Sequence, residues 1–159
     1  MRPRIYVKSL LDEEKRAVVY VDQSMENILL DIEKRLDGSE DWMIMDFQYY
    51  DKWFDSFEKD LNHISKVGQT IKKEGESFAA FYFLFKSLNI EEFNRLSQGW
   101  FKSKPDYIRS YLALKYSFKE KDLEPYFDYE TFGKEKVFIK DIKWAECEDG
   151  SLYIFREGS

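Results

Sequence analysis

Two side chains of this sequence stand out for their rarity: His63 is its single histidine and Cys147 its single cysteine. A histidine works as a general base or metal ligand only when a second group orients it. Asp60, three residues earlier on a helical pattern, is the candidate partner. The plainer reading is a surface histidine with a polar neighbour. Cys147 falls in an alternating, strand-like segment, where a buried, unreactive thiol is the ordinary outcome. One cysteine excludes an intramolecular disulfide and cannot alone form a thiolate zinc site. No phosphate-binding loop, dinucleotide-type glycine turn or serine elbow is present, and only seven glycines exist to build one. The 31 acidic residues guarantee chance carboxylate pairs, so a glycosidase-type pairing has no specificity. The expectation is a protein that is not an enzyme, with no catalytic residue, cofactor or metal.

What the carboxylates offer is charge. The chain has 31 acidic and 25 basic residues, a net of −6, and the balance is uneven. Residues 1–60 hold 15 acids and 9 bases, residues 61–120 hold 6 and 10, and residues 121–159 hold 10 and 6. An acidic start, a mildly basic middle and an acidic end argue against one nucleic-acid-binding surface. On the first predicted helix, Glu26, Glu33 and Asp37 stand at i, i+7 and i+11, within roughly 40° of one another at 3.6 residues per turn. Their axial spacings, about 10 Å and 6 Å, are comparable with steps along a row of DNA phosphates. Asp12, Glu13, Glu14, Glu40, Asp41, Asp46 and Asp51 fall in adjoining loops and strand ends. The competing reading is a solvated acidic face kept for solubility.

The elements that must carry these groups are legible from periodicity. Residues 4–9 and 16–22, rich in β-branched and aromatic side chains, predict a strand pair around the Asp12-Glu13-Glu14 turn. Ser24 then caps a helix whose stripe is Met25, Ile28, Leu29, Ile32 and Leu36, closed by Gly38. A third strand follows at 42–47. From Asp55 the pattern is helical: Phe57, Leu61 and Ile64 share a face, and Gly68 interrupts before a segment through Phe78, Phe81, Tyr82 and Phe85. Asn89-Ile90-Glu91-Glu92 fits a capping box for a helix bearing Phe93, Leu96 and Trp100. Ser103-Lys104-Pro105 announces another, burying Ile108, Tyr111 and Leu112. A charged connector at 119–122 runs to Pro125, and Asp128 caps a short helix that Gly133 ends. Residues 141–147 and 151–155 flank Asp149-Gly150, a strong hairpin signal.

Aromatics make up 18% of the chain and supply large buried area to small cores. Tyr49, Tyr50, Trp53, Phe54 and Phe57 crowd one junction, where they either pack a core or fix an angle between modules. No apolar run approaches a membrane span and no signal-peptide pattern opens the chain. A soluble, cytoplasmic protein without membrane partners is expected.

The residues also resemble a known family. Arg4-Ile5-Tyr6-Val7-x-Ser9-Leu10, Val21-Asp22 before the helix, and Trp42-x-Ile44-x-Asp46-Phe47 are similar to the opening of the ArdA antirestriction proteins. Tyr126-Phe127-Asp128-Tyr129-Glu130-x-Phe132-Gly133 and Leu152-Tyr153-Ile154-Phe155 resemble their C-terminal part, and order and spacing agree over nearly the whole chain. The middle third matches only as helical, aromatic-rich sequence.

The resemblance implies an α+β fold, elongated and curved, of three small modules: an N-terminal α+β module at 1–55, a central helical module at 56–102 and a C-terminal α+β module at 103–159. It implies a homodimer paired through the last module, where Tyr126, Phe127 and Tyr129 either form the interface or cover the hairpin. It further implies an acidic mimic of bent double-stranded DNA that occupies the cleft of a Type I restriction–modification enzyme, protects a mobile element, and binds no nucleic acid itself. Against a continuous mimic stands the basic middle, with Lys66, Lys72, Lys73, Lys86, Arg95, Lys102 and Lys104. Two alternatives stay open: a structural or regulatory mobile-element protein of the same fold, and an inhibitor of another DNA-handling defence enzyme.

Overall fold

The computed structural model describes residues 2–49, 53–55, 60–116, 127–139 and 141–158. Its fold is α+β, with helices and two antiparallel sheets. The chain forms two compact units, Met1–Leu88 and Asn89–Ser159, where three modules are expected.

In the first unit, β1 (Arg4–Ser9), β2 (Arg16–Tyr20), β3 (Trp42–Gln48) and β4 (Trp53–Asp55) form a sheet in the order β2-β1-β3-β4. Strict alternation buries Ile5, Val7 and Ser9 on one face of β1, as a period of two requires. Helix α1 (Met25–Arg35) starts where expected: the Ser24 hydroxyl accepts from the Asn27 N–H at 3.3 Å. Its stripe of Ile28, Ile32 and the capping Leu36 is fully buried. β4 is not foreseen, since three residues are too few to display alternation.

α2 (Leu61–Glu74) and α3 (Glu76–Phe85) complete this unit. The expectation that Gly68 breaks the helix fails: α2 runs straight through it, and the break comes at Gly75, whose φ is 92°. Glycine at 68 serves closeness instead. A Cβ there would lie 2.0 Å from the Val21 carbonyl oxygen, so only glycine lets α2 lie against the chain leaving β2. Ser65 Oγ and Gln69 Nε2 donate to the Gln23 carbonyl in the same place, at 2.7 and 3.3 Å. α3 buries five consecutive residues, Phe78 to Tyr82, so it is enclosed on several sides. Tyr49 stacks on Phe47 with ring centres 5.1 Å apart and meets Tyr82 edge-on at 5.5 Å. It is core packing inside one unit; Tyr50, Phe57 and the side chains of Trp53 and Phe54 lie outside the described residues.

In the second unit, α4 (Ile90–Leu96) is capped by Asn89 Oδ1 accepting from Glu92 N–H at 3.1 Å. The helix stops at Leu96, and Trp100, expected on it, belongs to a strand, β5 (Ser97–Phe101). Strand pairing with the end of the chain overrides the local helical pattern there: β5 aligns with β7 (Leu152–Arg156), which pairs in turn with β6 (Ile142–Glu146). The hairpin joining β6 and β7 turns through Gly150 at φ 85°. The boundary expected at 102/103 therefore lies inside one sheet-bearing unit.

α5 (Lys104–Tyr116) covers this core with Tyr107, Ile108 and Leu112. α6 (Tyr129–Phe132) is capped by Asp128 and does not end at Gly133; the chain continues as a π-helical turn, Gly133–Val137. Here too a glycine permits contact, since a Cβ on Gly133 would lie 2.7 Å from Ile108 Cδ1. The connector at 119–122 and Pro125 lie outside the described residues. Among the described residues no helix is long and apolar enough to cross a membrane.

Candidate functional site

The acidic groups singled out by sequence separate into one cluster and several outliers. Ser9, 1% exposed at the end of β1, organises the cluster. Its hydroxyl oxygen accepts from the N–H groups of Leu11 (3.2 Å) and Asp12 (3.3 Å) and shares a 2.9 Å bond with the Ser39 hydroxyl. Ser39 Oγ in turn donates to the Asp41 carbonyl at 3.1 Å, and Leu10 N–H donates to that same carbonyl at 2.9 Å. The β1–β2 turn is thereby tied to the α1–β3 connection. These bonds bring Asp12, Glu13 and Glu14 to the same end of the sheet as Asp37, Glu40 and Asp41, all six exposed.

Asp37 joins this cluster by a route that helical spacing does not foresee. α1 ends at Arg35, and Asp37 adopts a left-handed φ of 53°, so it leaves the rotation shared by Glu26 and Glu33. It pairs instead with Lys15 at 3.5 Å. Asp12, Glu13, Glu14, Glu40 and Asp41 form no ion pair with a described residue. Glu26 and Glu33 remain exposed on one side of α1; Glu26, in the first turn, also complements the helix dipole. Asp46 sits inside β3 opposite Tyr6, half-buried and away from the turn. Asp51 lies outside the described residues.

Apolar side chains accompany this charge. Leu10 and Leu11 in the turn are 57% and 77% exposed, and Leu30, one turn beyond Glu26, is 63% exposed. Sequence reasoning missed them; the signal was available, because Leu30 falls on the Glu26–Glu33 side of α1 rather than on its buried stripe.

The second unit treats its carboxylates differently. Asp106 bonds Arg109 at 2.9 Å, Glu130 bonds Lys134 at 2.7 Å, Glu157 bonds Lys143 at 3.1 Å and Glu146 lies 3.5 Å from Lys104. The basic residues of the expected central module divide between the units, Lys66, Lys72, Lys73 and Lys86 in the first and Arg95, Lys102 and Lys104 in the second. Phe127 and Tyr129 meet at 4.8 Å and pack against the second unit's own core, with the Arg109 guanidinium 4.9 Å from the Tyr129 ring. Tyr126 lies outside the described residues.

The two rare side chains lie apart from the acidic end. Asp60 is not the ring partner of His63: its carboxylate caps α2 by accepting from the Asn62 and His63 N–H groups. The imidazole Nε2 is instead 2.8 Å from the Tyr82 hydroxyl. Cys147 sits just past β6, at the turn, and is half-buried rather than enclosed in a strand. Among the described residues no group of three His, Cys, Asp or Glu is placed to hold a metal ion. Comparison with protein-family models, with curated proteins and with solved structures gives no match to this chain.

Proposed function

We propose that this protein is a non-enzymatic, cytoplasmic inhibitor of the ArdA type, presenting carboxylates in place of DNA phosphates to the DNA-binding cleft of a Type I restriction–modification enzyme. The observation that carries this reading is the joined acidic end of the first unit, where the Ser9–Ser39–Asp41 bonds fix two exposed acidic loops together. An enzyme that grips DNA through many lysines and arginines attracts any polyanion of suitable shape. Carboxylates already fixed on a folded scaffold need little ordering on binding. The ion-paired acids of the second unit support mimicry centred on the first. The test is competition against duplex DNA for a Type I methyltransferase core. Wild type displaces the duplex, and a folded variant with Glu13, Glu14 and Glu40 changed to Lys does not; equal displacement by both contradicts the reading.

A second reading has one observation in its favour. Leu10, Leu11 and Leu30 offer apolar contact that a phosphate backbone lacks, as expected of a mobile-element protein using this face without mimicry, or of an inhibitor of a different defence enzyme. Serine at these three positions then abolishes partner binding, while charge reversal leaves it intact.

A further inference from the structure

The second unit holds a groove of about 570 Å3 beside the first turns of α5. That helix contributes Lys104, Pro105 and Ile108, so the groove lies at least about 12 Å along the axis from its last residue, Tyr116. α6 and the π-helical turn that continues it form a second wall, and Trp144 of β6 supplies a third side. The Phe138 N–H closes the π turn by donating to the Gly133 carbonyl at 2.7 Å. Turns of this kind are rare and recur at functional sites. This one sets the Phe138 ring edge-on to Trp144, with centres 5.0 Å apart.

The walls are apolar and the charges at the groove are matched. Tyr129, Phe138 and Trp144 pack on the core of this unit yet stay only half-buried, so each keeps ring surface that a ligand would cover. Covering it is favourable, because apolar area leaves water. Three charged side chains line the groove, and each has an opposite partner: Glu130 bonds Lys134 at 2.7 Å, and Lys104 lies 3.5 Å from Glu146. These pairs lower the attraction for a ligand of either sign. The Lys104 ammonium also stands 5.2 Å from the Trp144 ring centre and 5.9 Å from that of Phe138. A cation in that position attracts the face of a further aromatic ring more than it attracts an aliphatic one. The volume falls in the range of small-molecule sites, which are mostly apolar with a few polar groups.

We propose that this groove binds an uncharged, planar aromatic molecule of one or two fused rings. The ring lies against Phe138 and Trp144, with the Lys104 ammonium toward its face and Ile108 beneath it.

The test titrates the 15N-labelled full-length protein with indole and follows the backbone amides and tryptophan side-chain N–H groups by NMR. Saturable shifts are expected at Gly133, Lys134, Phe138 and Trp144. Phenol and cyclohexanol differ in aromaticity and little in size; phenol is expected to bind at least about threefold more tightly. Benzoate is expected to bind no more tightly than phenol. Lys104→Met keeps the length of the side chain without its charge and is expected to weaken indole at least about threefold. Pro105→Trp, at an exposed position of the groove, occupies it with an indole of its own and is expected to abolish binding with an unchanged circular dichroism spectrum. Absence of saturable shifts at millimolar indole, or shifts confined to other residues, overturns the proposal. So does cyclohexanol binding as tightly as phenol, benzoate binding more tightly than phenol, or either variant binding indole like wild type.

Discussion

Asp22 shows how much a single carboxylate contributes once it is enclosed. It is 6% exposed at the start of the segment leading into α1, and Arg2 grips it with two hydrogen bonds of 2.9 and 3.0 Å while lying 3.8 Å over the Tyr20 ring. The hydrogen bonds from Arg2 hold its pKa below the ordinary carboxylate range, outweighing burial, which acts the other way. A depressed folded value means the stabilisation is complete above the unfolded value, near 3.8, and is lost as pH falls through the folded one. Asp22→Asn is predicted to cost about 1–2 kcal/mol at neutral pH, toward the lower end for a charged hydrogen bond because Arg2 is half exposed. In urea titrations the gap from wild type narrows as pH falls below the ordinary carboxylate value and through the depressed folded one; a gap independent of pH contradicts this account. Ser9 is the other decisive residue. Ser9→Ala leaves the Leu11 and Asp12 N–H groups without their acceptor, at a predicted cost of about 1–3 kcal/mol. It also loosens the acidic end, so the proposed mimicry predicts that displacement of duplex DNA from a Type I methyltransferase core falls more than the loss of stability explains.

Among the elements, α1 and the β6–β7 hairpin were legible because short-range chemistry decides them: a serine cap with a five-residue apolar stripe, and Asp-Gly between alternating segments. Long-range decisions were not legible. Whether residues 97–101 extend a helix or form a strand is settled by β7, more than fifty residues away, and no local pattern reports that. Gly68 and Gly133 read as breaks, yet each marks a close approach by another element. Of the candidate site, the exposed carboxylates could be named from sequence, but their grouping depends on hydrogen bonds between two loops and on the left-handed turn at Asp37. Gly68→Ala tests the packing reading at this scale. If closeness to Val21 is the reason for glycine, alanine destabilises the first unit by about 1–3 kcal/mol in chemical denaturation, as overpacking does. If helix interruption were the reason, alanine would stabilise it by up to about 1 kcal/mol.

At the scale of the whole molecule, charge is organised unit by unit. Residues 1–88 carry 17 acids and 13 bases, and residues 89–159 carry 14 and 12. The larger difference lies in pairing: the acidic end of the first unit is left mostly to solvent, whereas several acids of the second are held by lysine or arginine. A partner that recognises the first arrangement reads charge over an area rather than a single pocket. Such recognition is sensitive to ionic strength, because exposed charges are screened over about 8–10 Å near physiological salt. The most direct measurement is the dissociation constant of this protein with a Type I methyltransferase core across a salt series. Mimicry of DNA predicts that affinity falls steeply between about 50 and 200 mM salt and that the Glu13, Glu14 and Glu40 to Lys variant loses most of that dependence. Tight binding that is indifferent to salt, or no binding at low salt, contradicts it.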